Sequence, residues 1–321
     1  LIDTNVIKQI ISSLVAGKHI LLTGPVGTGK THLASLLPEL VWKGEKYTTG
    51  DAAKPKIGGS GGECKTDCYV IATRVSDKQE TEIKISYKRE NSSFIENKVK
   101  SERANRIFGE GWSEIIKSQI NQIKKRFLKE PLFYVEKDRR TKEGSIKLGW
   151  RYEMEYEGNR SLGVPIKQNI GESVWNNKNA DEKFKNCHVN GKLIKNSGVP
   201  NYFLQKNEIK STDDIISNLI PIDDIIKKQS VTAAFTAQNY DPFEKRQHGG
   251  CNRDLSVPVH WTVRNGMIFP KLVFDKPLEF NSNEQEKKLL DVLDEVDIEI
   301  GKNFDIKKFK EKLDPSVITF P

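Results

Sequence analysis

Apolar and polar residues alternate strictly through Ile146, Leu148, Trp150, Tyr152, Met154 and Tyr156, a period of two that predicts a strand with one apolar face. Pro131 to Glu136 leads into it through the polar run Lys137 to Gly144, so the two stretches read as a hairpin. Tyr69 to Val75 and Thr81 to Tyr87 read as further strands joined by the polar turn Ser76 to Glu80. Val257 to Arg264 and Met267 to Phe274 flank Asn265-Gly266, a pair that accepts the left-handed backbone of a two-residue hairpin turn. Pro270 cannot donate to a ladder and predicts an edge position for the second of these strands. Helical spacing appears elsewhere. Ile115, Ile116, Ile120, Ile123 and Phe127 share one face of a helix from Trp112 to Leu128. Glu284 to Asp294 reads as an acidic amphipathic helix and Phe304 to Leu313 as a basic one. Gly50, Gly58, Gly59, Gly61 and Gly62 around Lys54-Pro55-Lys56 mark a loop or linker, and residues 160–210 show only weak periodicity.

The N-terminal stretch is patterned differently. His19-Ile20-Leu21-Leu22-Thr23 is short and mostly apolar, as a buried parallel strand should be. Gly24-Pro25-Val26-Gly27-Thr28-Gly29-Lys30-Thr31 follows and fits the phosphate-binding pattern G-x-x-x-x-G-K-[ST]. His32 to Leu37 then continues as a helix that Pro38 disturbs or ends. Phosphates need many backbone N–H donors at close range, and glycine lets the chain wrap that tightly. Lys30 would reach the β- and γ-phosphate oxygens, Thr31 would place its hydroxyl on Mg²⁺, and the helix N-terminus at His32 adds its positive end.

With Gly17-Lys18-His19, Leu21-Leu22-Thr23-Gly24-Pro25 and Gly29-Lys30-Thr31 in order, about the first 45 residues of 321 resemble the start of AAA+ ATPase modules. The wording is most similar to the dynein-related branch, with its MoxR-type ATPases and McrB-type restriction GTPases. The resemblance implies a nucleotide-driven homo-oligomeric ring using ATP or GTP with Mg²⁺, a Walker B acid pair, a sensor residue and an arginine finger. Two segments approach the acid pair. Leu219 to Asp224 ends in Asp223-Asp224 but contains Pro221 in helix-like surroundings, and Leu289 to Glu295 is spaced as an amphipathic helix. Val231 to Asn239 resembles the sensor strand of MoxR-type ATPases, which would set Asn239 against the γ-phosphate or lytic water; an ordinary strand leaving through Asn239-Tyr240-Asp241-Pro242 fits the same residues. Arg246, Arg253 and Arg264 follow as finger candidates.

A length of 321 residues suggests about two domains. The chain is 36% hydrophobic and 30% charged with a net charge of +8, which favours an acidic partner such as DNA or RNA. It has no run of about 20 apolar residues to span a bilayer, no leader-like opening, and begins at Leu1, which reads as a cytoplasmic protein or a fragment of one. Four cysteines make no disulfide framework. Cys64-x3-Cys68, Cys187-His188 and His248-x2-Cys251 are a weak zinc pattern, and free thiols are the expectation.

Cations crowd the middle of the chain, among them Lys124, Lys125, Arg126, Arg139, Arg140 and Lys142. They form either a phosphate-neutralising face, with Phe133, Tyr134, Trp150, Tyr152 and Tyr156 free to stack bases, or a solvated face over an aromatic core. The resulting expectation is an α/β P-loop NTPase (AAA+-like) parallel-sheet segment over 1–63, a basic α+β antiparallel insert over 64–210, and the remainder of the NTPase module over 211–321. Its function would be Mg²⁺-dependent nucleotide hydrolysis coupled to remodelling of a protein or nucleic acid, with Lys30, Asp223, Asp224 and Asn239 as catalytic groups. The alternative is a nucleic-acid-binding module of a restriction or defence system whose P-loop does not hydrolyse.

Overall fold

The computed structural model describes residues 39–58, 63–90, 92–96, 98–156, 158, 160–209, 211–228, 231–250 and 252–321. The P-loop, Gly24–Thr31, and His32 lie outside them. The chain forms two compact units that interleave in sequence, Leu1–Ser92 with Gly171–Gln229 and Ser93–Ile170 with Ser230–Pro321. These divisions differ from cuts at 63 and 210 because strand Glu80–Lys88 pairs with Tyr202–Gln205, more than a hundred residues later, a partner that local patterning does not reveal.

In the first unit six strands lie side by side in the order Glu39–Trp42, Glu45–Thr49, Cys68–Arg74, Glu80–Lys88, Tyr202–Gln205 and Ile220–Pro221. Neighbours run antiparallel except Glu80–Lys88 and Tyr202–Gln205, which are parallel. Trp42, Tyr47, Val70, Ala72, Ile83, Ile85 and Leu204 form the core on one face, with Ile215 and Ile216 of helix Thr212–Asn218 packed against it. A capping box starts that helix, Ser211 taking the Asp214 amide and Asp214 the Ser211 amide. On the other face Tyr69 and Ile71 meet Ala53, Val189 and Ile194, and Trp175 of helix Gly171–Trp175 meets Phe203 edge-on at 5.2 Å.

The second unit is built around three strands of eleven residues. Ile146–Tyr156 lies in the middle, antiparallel to Val231–Asp241 on one side and to Asp254–Arg264 on the other. Met267–Leu272 extends the last of these across Asn265 and Gly266, whose φ values of 51° and 74° are those of the two-residue turn, and Pro270 occupies the outer strand. Helix Trp112–Phe127 covers the apolar face with Ile116, Ile120, Ile123 and Phe127, all buried. Phe127 meets Trp150 at 5.1 Å and Phe235 at 5.2 Å edge-on, and the Tyr152 hydroxyl donates to Gln119 Oε1 at 2.7 Å. Phe133, Tyr134, Trp150 and Tyr152 are therefore core and are not displayed for base stacking.

The fold is mixed α/β and mostly antiparallel. A parallel sheet of the P-loop kind is not shown among the described residues, and the sensor-like strand Val231–Asp241 belongs to the antiparallel sheet. The central strand shifts register against both neighbours around Gly149. Gly149 has φ +148°, and a Cβ there would lie 2.6 Å from the Val257 carbonyl oxygen and 2.9 Å from Pro258 Cα. Gly149→Ala is expected to destabilise the protein by about 3 kcal/mol in urea unfolding. Gly111→Ala, where a Cβ meets nothing within 4 Å, is expected to stay within about 1 kcal/mol of wild type.

Candidate functional site

One end of the first unit's hairpin gathers polar groups on a single face. Cys68 pairs with Ile85, and Asp67, one position earlier, is set against that same residue. Because side chains alternate along a strand, Ser86 and Lys88 belong to the face of Glu82, whose carboxylate takes the Tyr69 hydroxyl at 2.7 Å. The Asp67 amide donates to Ile85 O at 2.8 Å. Its carboxylate Oδ2 accepts the Tyr87 amide at 2.9 Å, a bond that fixes the direction of the acid. Lys88 ends the strand opposite Gln205 of the parallel neighbour and has no ion-pair partner among the described residues. Gln205 Nε2 reaches the carbonyls of Arg89 and Glu90 at 3.4 Å and of Ser92 at 3.5 Å, gathering the chain where it leaves the sheet. Asp67 and Lys88 are half-buried, Ser86 is buried, and Thr66 beside them has a buried hydroxyl without a hydrogen-bond partner.

A second cluster joins Ser145, His248 and Asp241 in the other unit. Ser145 Oγ lies 3.4 Å from His248 Nε2, and Asp241 Oδ2 lies 3.8 Å from that same nitrogen. A nucleophilic triad needs the carboxylate on Nδ1 so that Nε2 is free to take the serine proton, and this arrangement does not supply it. Asp241 serves the turn instead: Oδ1 accepts the Phe243 and Glu244 amides at 3.1 Å, and Oδ2 takes Lys142 Nζ at 3.1 Å.

Compared with family models, curated proteins and solved structures, the chain matches none.

The residues expected to carry nucleotide chemistry are dispersed. Asp223 and Asp224 lie exposed in the first turn of the short helix Ile222–Lys228, where Asp224 pairs with Lys227 at 3.4 Å. Pro221 ends at the sheet edge, as a residue without an N–H can. Asn239 is buried opposite Lys147, and its Oδ1 has no hydrogen-bond partner among the described residues. Of the residues expected to meet nucleic acid, Lys124 stacks on Phe274 at 4.8 Å, Arg126 donates to Ser161 O at 2.9 Å, and Lys142 is held by Asp241 and Glu244. Lys125, Arg139 and Arg140 are exposed. Cys64 and Cys187 are hydrogen-bond neighbours, whereas Cys68 packs against the apolar cluster, its thiol pushed up to about 12 by burial and then by Asp67.

Sequence reading did not single out Asp67 and Lys88. The signal that finds them is an acid just before one strand of a hairpin and a lysine at the end of the next, positions that antiparallel pairing brings to the same edge.

Lys147 is 1% exposed and has no ion-pair partner among the described residues; its Nζ sits 5.1 Å from the Trp150 ring and 5.3 Å from the Tyr134 ring and donates to the Tyr134 hydroxyl at 3.4 Å. Burial lowers its pKa from 10.5 to about 8. A lysine with a lowered folded value destabilises fully below that value, and stability recovers as pH rises towards the unfolded one. Lys147→Met is therefore expected to raise stability at pH 7 by about 1–3 kcal/mol and to abolish the gain that wild type shows between pH 8 and 10, measured by urea unfolding. His248 and His260 are also lowered from 6.5, chiefly by burial. The unfolded chain then binds more protons near pH 6, so stability is expected to fall as pH drops through that range, and less steeply in His248→Gln.

Proposed function

We propose that this chain binds a nucleoside triphosphate and acts on nucleic acid, with a phosphodiester-directed centre at the Asp67–Lys88 end of the hairpin. The P-loop sequence Gly24–Thr31 supports the first part, with Lys30 on the phosphates and Thr31 on Mg²⁺. The observation that carries the second is the Asp67 carboxylate held on the Tyr87 amide, one residue before Lys88 at the end of the strand beside its parallel neighbour. The net charge of +8 favours a polyanion over a neutral substrate.

The donor set fits sparse Mg²⁺ binding, in which one or two carboxylates hold an ion that otherwise keeps water and substrate phosphate oxygens. No group of three or more His, Cys, Asp and Glu side chains suited to a metal occurs among the described residues, so an all-protein cage is not the mode supported. When bound, Mg²⁺ would supply charge to the phosphate and acidity to its water. Asp67, held by the Tyr87 amide, provides a directed carboxylate without reorganisation at the moment of reaction. Lys88 presents an ammonium to the charge that develops on the phosphate oxygens as water attacks phosphorus, giving up a proton to solvent, and the opposite P–O bond breaks, the leaving oxygen taking a proton from solvent. ATP or GTP at the P-loop would couple this centre to a conformational cycle, the nucleotide-driven remodelling that the AAA+ resemblance implies.

The test is incubation of the purified chain with labelled DNA and RNA, with Mg²⁺ and with or without ATP or GTP. Asp67→Asn and Lys88→Ala are each expected to lower cleavage by about a hundredfold or more, and Lys30→Ala to abolish nucleotide binding. Cleavage that survives Asp67→Asn would remove the centre from this hairpin.

A further inference from the structure

The second unit holds a cavity of about 420 Å³ lined by Lys124, His260, Lys271 to Lys276 and Phe280. That volume falls within the roughly 300–1,000 Å³ of small-molecule sites. Its wall is cationic and aromatic together. Lys124 Nζ lies 4.8 Å from the Phe274 ring, and Lys288 and Lys276 lie 5.3 and 5.9 Å from the Phe280 ring. Lys271 and Lys276 are exposed, and Asp275 is the single acid in the lining. His260 meets Phe280 edge-on at 5.0 Å, and its Nε2 is buried without a hydrogen-bond partner among the described residues. Three lysines, Lys288, Lys271 and Lys276, add to burial in holding that imidazole neutral.

We propose that this cavity binds a nucleotide unit, its phosphate on Lys271, Lys276 and Lys124 and its base against Phe280, with His260 Nε2 bonding a base edge. The chemistry argues for both halves. Four lysines, Lys124, Lys271, Lys276 and Lys288, against Asp275 and Glu279, the latter 4.0 Å from Lys276, leave an excess of positive charge that a phosphate neutralises. A ring already faced by two ammonium groups offers a flat surface to a base, and stacking on such a ring is tolerant of base identity. A lipid phosphate would meet the same lysines but leave the His260 nitrogen unpaired, and an acidic peptide would leave the Phe280 ring unstacked. The unit can come from a free nucleotide or from a strand of nucleic acid. The inference stands apart from the Asp67–Lys88 centre, because binding without Mg²⁺ requires no cleavage.

The experiment is fluorescence anisotropy of a labelled oligothymidylate in EDTA, in a Lys30→Ala background that silences the P-loop, with AMP as competitor. Lys271→Gln combined with Lys276→Gln is expected to weaken binding about tenfold and to flatten the salt dependence by roughly 0.7 in log–log slope for each lysine–phosphate pair removed. Both lysines are exposed, and an unchanged urea midpoint would show that the variant folds. Phe280→Leu is expected to cost about tenfold without altering the slope, as loss of stacking should. Displacement by AMP would identify a free-nucleotide site, and resistance to AMP a strand site. Affinity and slope both unchanged in the double lysine variant would overturn the proposal, as would binding indifferent to Phe280→Leu.

Discussion

The second unit depends on how it buries a strand that is apolar on one face only. Ile146–Tyr156 lies mid-sheet with helix Trp112–Phe127 on its apolar side, yet Glu153 and Glu155 on the opposite side are also buried. An unpaired charge in such a place costs several kcal/mol, so each acid needs a cation close by, and Glu155, whose oxygens accept no hydrogen bond among the described residues, has only its ion pair. Arg151 lies 3.2 Å from Glu153, Arg160 lies 2.6 Å from Glu155, and the Thr236 hydroxyl donates to Glu153 at 2.5 Å. These bonds hold strand Val231–Asp241 and the chain at Arg160 to the central strand in one arrangement. Gln238 extends the network by donating to the carbonyls of His248 and Gly250 at 3.0 Å, which ties down the loop beyond that strand. An apolar face tolerates sliding among similar side chains, whereas a matched set of charges does not, so the polar face sets the register and the apolar face supplies the driving force.

The register shift at Gly149 follows from the same demands. Uninterrupted alternation would place Lys147 on the side of Arg151, among the ion pairs. Instead its ammonium lies between the Tyr134 and Trp150 rings, and its backbone carbonyl accepts the Trp261 indole N–H at 2.9 Å. The irregularity lets Asp254–Arg264 approach so closely that only glycine fits, with Ser256 Oγ bonding the Trp150 carbonyl at 2.9 Å across the gap. The strand thus closes tightly on one neighbour and accepts a buried cation without a carboxylate as the consequence.

What was legible in the sequence follows the range of the interactions. The hairpin over Cys68–Lys88 and the turn at Asn265-Gly266 were readable because the residues that make them are adjacent, and helix Trp112–Phe127 because its apolar stripe repeats within one segment. Strand Tyr202–Gln205 was not, since its four residues gain a place only by pairing with Glu80–Lys88. Strict alternation shows one apolar face and leaves open what covers the other; the burial of Glu153 and Glu155 depends on Arg160 and Thr236, which no local pattern connects to them. The Asp67–Lys88 site was hidden for a related reason. Its residues are 21 apart in number and become neighbours through hairpin register, without a motif of fixed spacing.

Some of the positive charge of the second unit is spent on the fold and some is left towards solvent. Arg151 and Arg160 serve buried or half-buried carboxylates, a role that suits a planar, weakly hydrated guanidinium with several fixed donors. Lys124, Lys271, Lys276 and Lys288 remain towards solvent around Phe274 and Phe280. Their ammonium groups keep much of their hydration, and a cation over an exposed ring gains only about 0.5–1 kcal/mol. An incoming anion therefore has less to displace at these lysines, where Lys276 alone would exchange an ion-pair partner, Glu279 at 4.0 Å, than at Arg151 and Arg160, whose pairs the fold itself needs. The electrostatic surface offered to a partner is the lysine-rich one, and its attraction is the kind that salt screens over about 10 Å.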